Sequence, residues 1–362
     1  MKNKKILFSL VAIIGGLLLT LLVIEIILRI LGFGNLVIYQ YDKDVYWKPR
    51  PNQHCFTKEG HQPVQINRLG LRGQEVSLDK PQGTFRILSL GDSRTFGWGV
   101  ADNQTYSYIL QEELSKRTGK NIEVLNAGVN GYSYPQMYVV LRDMVDKFDI
   151  DAVIVGSSNW WSYFIPDAML EYKRAWQKKI FLKNIVRRFA IYHTLVELKL
   201  RQYYVRWRKR FIPVSPEDVP SVLDETAPSV SPNGSNREKS LDGILNIYQE
   251  KSPAFATSYA VGEYYLKEMA KLATEKKVPC VFLYIPHEKS NDNSLHLVMK
   301  RRVEQEFKGN VFVLDSSKIL NSPQISYGSV FLEGDRVHMN AYGHEKLAEF
   351  LAGQIINRKI VF

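Results

Sequence analysis

From Phe85 onward, short apolar runs alternate with longer stretches whose apolar residues recur at helical intervals. The runs at Phe85–Leu90, Ile122–Asn126, Ala152–Val155, Cys280–Ile285 and Val311–Leu314 have the length and composition of strands buried on both faces. The stretches near Tyr106–Arg117, Pro135–Lys147, Tyr259–Lys276, Leu297–Phe307 and Ala341–Ile356 read as helices. Such alternation predicts an α/β fold, a three-layer α/β/α sandwich whose five-stranded sheet is mainly parallel. The pattern breaks between residues 166 and 240. There a basic, aromatic stretch and then the Pro/Ser/Asn/Asp-rich Pro213–Asn236 predict helices and a flexible loop inserted into the sandwich. Upstream, residues 34–84 are polar, aromatic and rich in turn formers, and Asn67-Arg68-Leu69-Gly70-Leu71-Arg72-Gly73 is their most distinctive piece. They are expected to form a short lead-in packed on a domain spanning 85–362.

The amino terminus follows a different pattern. Ile6 to Ile24 carries no charge and is preceded by Lys2, Lys4 and Lys5. A run of that length can cross a bilayer. It continues through Glu-Ile-Ile-Leu-Arg-Ile-Leu, where a secretory signal would end at a small-residue cleavage site, so residues 1–33 are expected to stay as an uncleaved anchor. Glu25 and Arg29 stand four apart, the spacing of an ion pair on one helix face. The early lysines favour a cytoplasmic amino terminus. That predicts a single-pass protein of the cytoplasmic (inner) membrane with its main domain periplasmic or extracellular.

Net charge is +11, and where it sits matters more than its total. Glu171 to Arg210 holds thirteen Lys or Arg against two Glu, an excess equal to that of the whole chain. The remainder is close to neutral, which argues against a general nucleic-acid-binding surface and for a local basic device: a solvated helical pair with a buried aromatic seam, a surface lying on an anionic membrane, or a lid guiding an acidic glycan into the site. Cys55 and Cys280 are too few for a disulfide framework. They could form one bridge in an oxidising compartment, and are read as two separate buried thiols.

Chemistry enters where the first strand ends, at Gly91-Asp92-Ser93. Ligands of open α/β sheets bind at the carboxyl ends of strands, so Ser93 is a candidate nucleophile if the chain also supplies a base and an oxyanion site. Asp335-Arg336-Val337-His338 can supply the base, because an Asp three residues ahead of a His can fold back onto the second imidazole nitrogen. His344, inside the last helix, reads as structural. Two segments qualify for the oxyanion site: Asn126-Ala127-Gly128-Val129-Asn130-Gly131 after the second strand and Gly156-Ser157-Ser158-Asn159 after the third. The sequence has no Gly-x-Ser-x-Gly elbow, no P-loop, no Gly-x-Gly-x-x-Gly after a strand and no metal-ligand cluster among its seven histidines. No metal and no cofactor are expected.

In combination, the blocks GDS, NAGVNG, GSSN and DRVH resemble the SGNH hydrolase superfamily, also called the GDSL family. The resemblance covers about Phe85 to Ile356 apart from the insertion, and implies a flavodoxin-like sheet and a serine esterase. It makes Ser93 the nucleophile, His338 the base and Asp335 its partner, with the oxyanion hole formed by the N–H groups of Ser93 and Gly131 and the Asn159 side chain. The third block departs from the family's usual Gly-x-Asn-Asp, since Asn159 follows two serines and precedes Trp160. Asp92, although adjacent to Ser93, is not the triad acid in that family. With the anchor, the resemblance implies an extracytoplasmic enzyme that hydrolyses acyl esters, O-acetyl groups on an envelope carbohydrate being the first expectation. An O-acyltransferase acting on an envelope polysaccharide and a non-catalytic envelope-binding domain are the alternatives.

Overall fold

The computed structural model describes residues 2–57, 61–156, 180–197, 253–286, 295–320, 330–332, 335 and 337–361. Most of the insertion expected at 166–240, and Asn159, lie outside the described residues.

The apolar runs form one sheet. Its strands are β5 (Thr84–Gly91), β6 (Asn121–Gly128), β7 (Ala152–Gly156), β8 (Cys280–Tyr284) and β9 (Val311–Asp315), in the order β6-β5-β7-β8-β9 with every neighbouring pair parallel. β5 has β6 on one side and β7 on the other, so the direction of strand addition reverses beside it, which is where an open α/β sheet leaves a crevice at its carboxyl edge. Successive side chains alternate between two cores. Leu88, Leu90, Val153, Val155 and Phe282 pack in the core that also takes residues of α4 (Tyr134–Met144), α6 (Pro253–Glu275) and α7 (Leu295–Glu306). Ile87, Ile154, Val281 and Leu283 pack in a second core with residues of α3 (Tyr106–Thr118), the short α8 (Ser317–Leu320) and α9 (Ala341–Asn357). Arg86 is the one charged residue in β5. Its Nε donates to Glu123 of β6 at 2.5 Å and its Nη1 to the Phe148 carbonyl at 2.7 Å, so the buried charge is paired where it sits.

The lead-in contains two antiparallel hairpins, β1 (Tyr39–Asp42) with β2 (Tyr46–Pro49) and β3 (Gln53–Phe56) with β4 (Pro63–Ile66). Val37, Tyr39, Trp47, Val64 and Ile66 are buried in the same core as Leu88 and Leu90. Asn67 folds the following turn by accepting the Leu69 and Leu71 N–H groups, each at 3.0 Å, and Arg72 N–H then reaches Asn126 O of β6 at 3.1 Å. Cys55 and Cys280 are both buried and unbridged, as two separate thiols.

α1 (Lys2–Ile30) is long and apolar enough to cross a membrane, and its large apolar side chains from Ile6 to Ile30, Leu28 apart, are exposed. The expected ion pair forms, Arg29 Nη2 lying 2.8 Å from Glu25 Oε1.

Gly128, at the end of β6, lies so close to the turn after β5 that a Cβ there would sit 2.3 Å from the Phe96 backbone nitrogen. Backbone cannot give way as a flexible side chain can. Gly128→Ala is therefore expected to lower Tm, or to prevent folding, by separating β6 from the Ser93 turn; an unchanged melting curve would show that the two segments are not held this tightly.

Candidate active site

β5 ends at Gly91, and Asp92 caps the single turn of α2 (Ser93–Phe96). The Asp92 carboxylate accepts the Arg94 N–H at 2.9 Å and the Arg94 guanidinium at 3.1 and 2.5 Å. Arg94 is itself buried and donates to Ile285 O at 2.9 Å. Asp92 is thus occupied in tying the turn to the end of β8. Ser93, half-buried at the start of α2, is the first side chain beyond β5 that reaches solvent.

The segment before α9 comes back over this serine. Leu332 N–H donates to His338 O and Asp335 N–H to Leu332 O, both at 2.9 Å, closing a compact turn. His338 Nε2 then lies 2.7 Å from Ser93 Oγ, and His338 Nδ1 lies 2.6 Å from Asp335 Oδ2. The other carboxylate oxygen, Oδ1, accepts the Val337 and His338 N–H groups at 2.8 and 3.1 Å. Partial burial would raise the Asp335 carboxyl, but the His338 contact and these two N–H groups outweigh it and hold it at about 2. An ionised Asp335 accepts a proton-bearing Nδ1, leaving Nε2 as the acceptor facing Ser93. The arrangement can take a proton from the Ser93 hydroxyl.

Gly131 follows β6 with φ of +79°, a left-handed conformation that favours glycine. Its loop is held from the lead-in: Trp47 Nε1 donates to Asn130 O at 2.9 Å, and Tyr132 donates its hydroxyl to Trp47 O at 2.6 Å. Among the described residues, no acceptor takes the Ser93 or Gly131 N–H, so both donors are available. The Asn159 expectation falls outside the described residues.

No family model and no curated protein matches the chain. Solved structures do. A protein from Desulfitobacterium hafniense DCB-2 assigned to the lipolytic G-D-S-L family is similar at 14% identity and TM-score 0.37, covering 76% of this chain and 99% of its own. A single-substitution variant of Axe2, an acetyl-xylooligosaccharide esterase from Geobacillus Stearmophilus, shows 14% identity and TM-score 0.40, covering 77% and 94%. A two-domain esterase active on acetylated mannans shows 13% identity and TM-score 0.41, covering 76% of this chain and 50% of its own.

Three further residues shape the site in roles that the sequence did not show, although Arg72 lies in its distinctive 67–73 turn. Arg72, from the Asn67 turn, is buried with its Nε 2.7 Å from Asp102 Oδ1, its Nη1 2.6 Å from Phe96 O and 2.5 Å from Gly97 O, and its Nη2 2.6 Å from Val100 O. One guanidinium thereby gathers the whole segment that follows Ser93. Trp47 supports the Gly131 loop. Trp98 has its ring centroid 6.2 Å from that of His338 and lines a crevice with Leu36, Val37, Tyr39, Phe56 and Arg187. The available signal was an arginine and two tryptophans among turn formers, which carries no address for their partners.

His344 is structural. It is fully buried, its Nδ1 accepts the Tyr106 N–H at 3.1 Å, and burial, helped by the nearby Arg72 and His338, holds it down at about 3. The unfolded chain would protonate it near its ordinary value of about 6.5. Above that pH the residue is neutral in both states and the fold keeps its full contribution. As pH falls from about 6.5 toward about 3 only the unfolded state takes up the proton, and stability drops by up to about 1.4 kcal/mol per pH unit. Comparing Tm against pH for the native protein and His344→Gln should show a shallower acid slope in the variant; parallel slopes would contradict this.

Proposed function

We propose that the chain is a membrane-anchored, extracytoplasmic serine esterase of the SGNH type, and that its substrates are acyl esters, O-acetyl groups on an envelope carbohydrate in particular. The observation that carries the enzymatic reading is the unbroken hydrogen-bond chain from Asp335 through His338 to Ser93, at the carboxyl edge of the sheet where addition reverses. The anchor reading is supported by the charge-free run in α1 and by the exposure of its apolar side chains. The carbohydrate reading rests on the resemblance of the sequence motifs.

In this mechanism Ser93 Oγ attacks the ester carbonyl carbon while His338 Nε2 takes the hydroxyl proton. The negative charge that forms on the carbonyl oxygen is met by the N–H groups of Ser93 and Gly131 and by the Asn159 amide. His338 returns its proton to the departing sugar oxygen as the C–O bond breaks, leaving acyl-Ser93. Water then adds to the acyl carbon, gives its proton to His338, and the serine leaves with that proton restored. Asp335 keeps the imidazole in one tautomer and stabilises its cation.

The test is to incubate the purified full-length protein in detergent with p-nitrophenyl acetate and with an O-acetylated oligosaccharide, with and without an unacetylated sugar acceptor. The esterase reading predicts acetate release without acceptor. Acetyl transfer that needs the acceptor would make the protein an O-acyltransferase, and no reaction with either ester would remove the enzymatic reading.

A further inference from the structure

The helical turns over 180–186 and α5 (Ala190–Glu197) are the described part of the basic insertion, and they are fastened to the chain where it leaves α1. Glu25, in the last two turns of α1, accepts the Ala190 and Ile191 N–H groups at 2.9 and 3.0 Å, so it caps the start of α5 as well as pairing with Arg29. Arg29 also donates to Arg188 O at 2.5 Å. The Gly34 N–H donates to His193 Nδ1 at 2.9 Å, and His193 Nε2 lies 3.2 Å from His61 Nδ1 beside the Phe33 and Phe56 rings. Arg187 donates to Val37 O at 2.9 Å, and Asn184 donates to Tyr39 O at 2.6 Å. Ile180, Ala190 and His193 are buried by these contacts.

The opposite side of the same segment is apolar and uncovered. Phe181 and Leu182 are 67% and 62% exposed, and Ile185, Val186 and Phe189 continue the stripe at helical spacing. Lys183 and Arg188 are exposed beside it. An uncovered stripe of this kind on a soluble surface calls for an occupant. Here it is bonded to the last turns of a helix whose own large apolar side chains are exposed from Ile6 to Ile27, so the stripe stands at the level where that helix would leave a bilayer.

We infer that residues 180–197 form an interfacial membrane-binding surface, with Phe181, Leu182, Ile185, Val186 and Phe189 seated at the headgroup and acyl boundary of the bilayer that holds α1. The inference rests on reading α1 as a membrane anchor. Basic side chains flanking an apolar stripe suit an anionic leaflet. The surface also fixes the height of the catalytic domain. Arg187 lines the crevice that Trp98 shares, and Trp98 adjoins His338, so the Ser93 site is held near the membrane, suited to an ester carried on a membrane-proximal polymer or lipid-linked glycan.

The test uses the full-length protein reconstituted in vesicles of phosphatidylethanolamine and phosphatidylglycerol. A bimane label is placed in turn at Leu17→Cys, Phe181→Cys, Leu182→Cys, Ile185→Cys and, as an aqueous control on α3, Lys116→Cys. The native thiols are buried, and the unsubstituted protein gives the blank. Nitroxide lipids labelled high or low on the acyl chain then report depth. The labels at 181, 182 and 185 are expected to lose most of their fluorescence to the shallow nitroxide and little to the deep one, Leu17 the reverse, and Lys116 to be unaffected by either. Any one of the three insertion positions in a protein with native Tm is sufficient. If those labels behave like Lys116 while Leu17 is quenched, the anchor stands and the surface inference falls. A blue-shifted label that no nitroxide quenches would place a protein partner there and overturn it as well. If Leu17 is not quenched, the anchor reading fails and takes this inference with it.

Discussion

Ser93→Ala is expected to lower kcat/KM for acyl esters by roughly five orders of magnitude while leaving Tm unchanged. The side chain is half-buried and its contact to His338 is a hydrogen bond at the mouth of the site, so its removal opens no core cavity. His338→Ala should lose activity to a similar extent, because without Nε2 nothing takes the hydroxyl proton. The Ser93→Ala, His338→Ala double variant should be no worse than either single one, since the two act as a unit. Full kinetics on the three variants, with thermal melts, check this; additive losses would mean that the two side chains serve separate steps, and a Ser93→Ala protein with appreciable turnover would remove the nucleophile assignment.

Arg72→Met is expected to lower both stability and activity. The methionine fills much of the volume but leaves the Asp102 carboxylate and the Phe96, Gly97 and Val100 carbonyls without the donor that gathers them. Asp102 is part-exposed and can turn to water, but a buried carbonyl left without a donor costs about 1–3 kcal/mol, and the loss of several such bonds is expected to lower Tm by roughly 10 °C. Activity should fall too, because the same carbonyls belong to the segment that carries Ser93. Arg72→Lys keeps the charge but cannot present a planar fork to several acceptors, so it should recover only part of either loss. Native stability and kcat in Arg72→Met would show that the turn after Ser93 is held by other contacts.

Strands β5 to β9 were legible in the sequence because central parallel strands are buried on both faces and read as continuous apolar runs. Thr84–Gly91 and Ala152–Gly156 extend the expected strands only by residues at their ends. The hairpins of the lead-in were not legible. Strands such as Tyr46–Pro49 and Gln53–Phe56 are four residues long and mix polar with apolar side chains, which gives periodicity too little to work on. The same limit explains the site. The Asp335 to His338 spacing is local and could be read directly, and the meeting of His338 with Ser93 followed from the resemblance. The roles of Arg72 and Trp47 depend on contacts to Val100 and Asn130, remote in the chain, and no short motif encodes those. Glu25 was read as a pairing partner for Arg29 alone, since its cap on Ala190 and Ile191 also spans distant segments.

The most direct test of Ser93 as the attacking group is to treat the full-length protein with a fluorophosphonate and map the adduct by mass spectrometry. The expected result is one covalent adduct on Ser93, lost in His338→Ala. A folded protein that takes up no label, or that carries it on another serine with Ser93 unmodified, would contradict the mechanism.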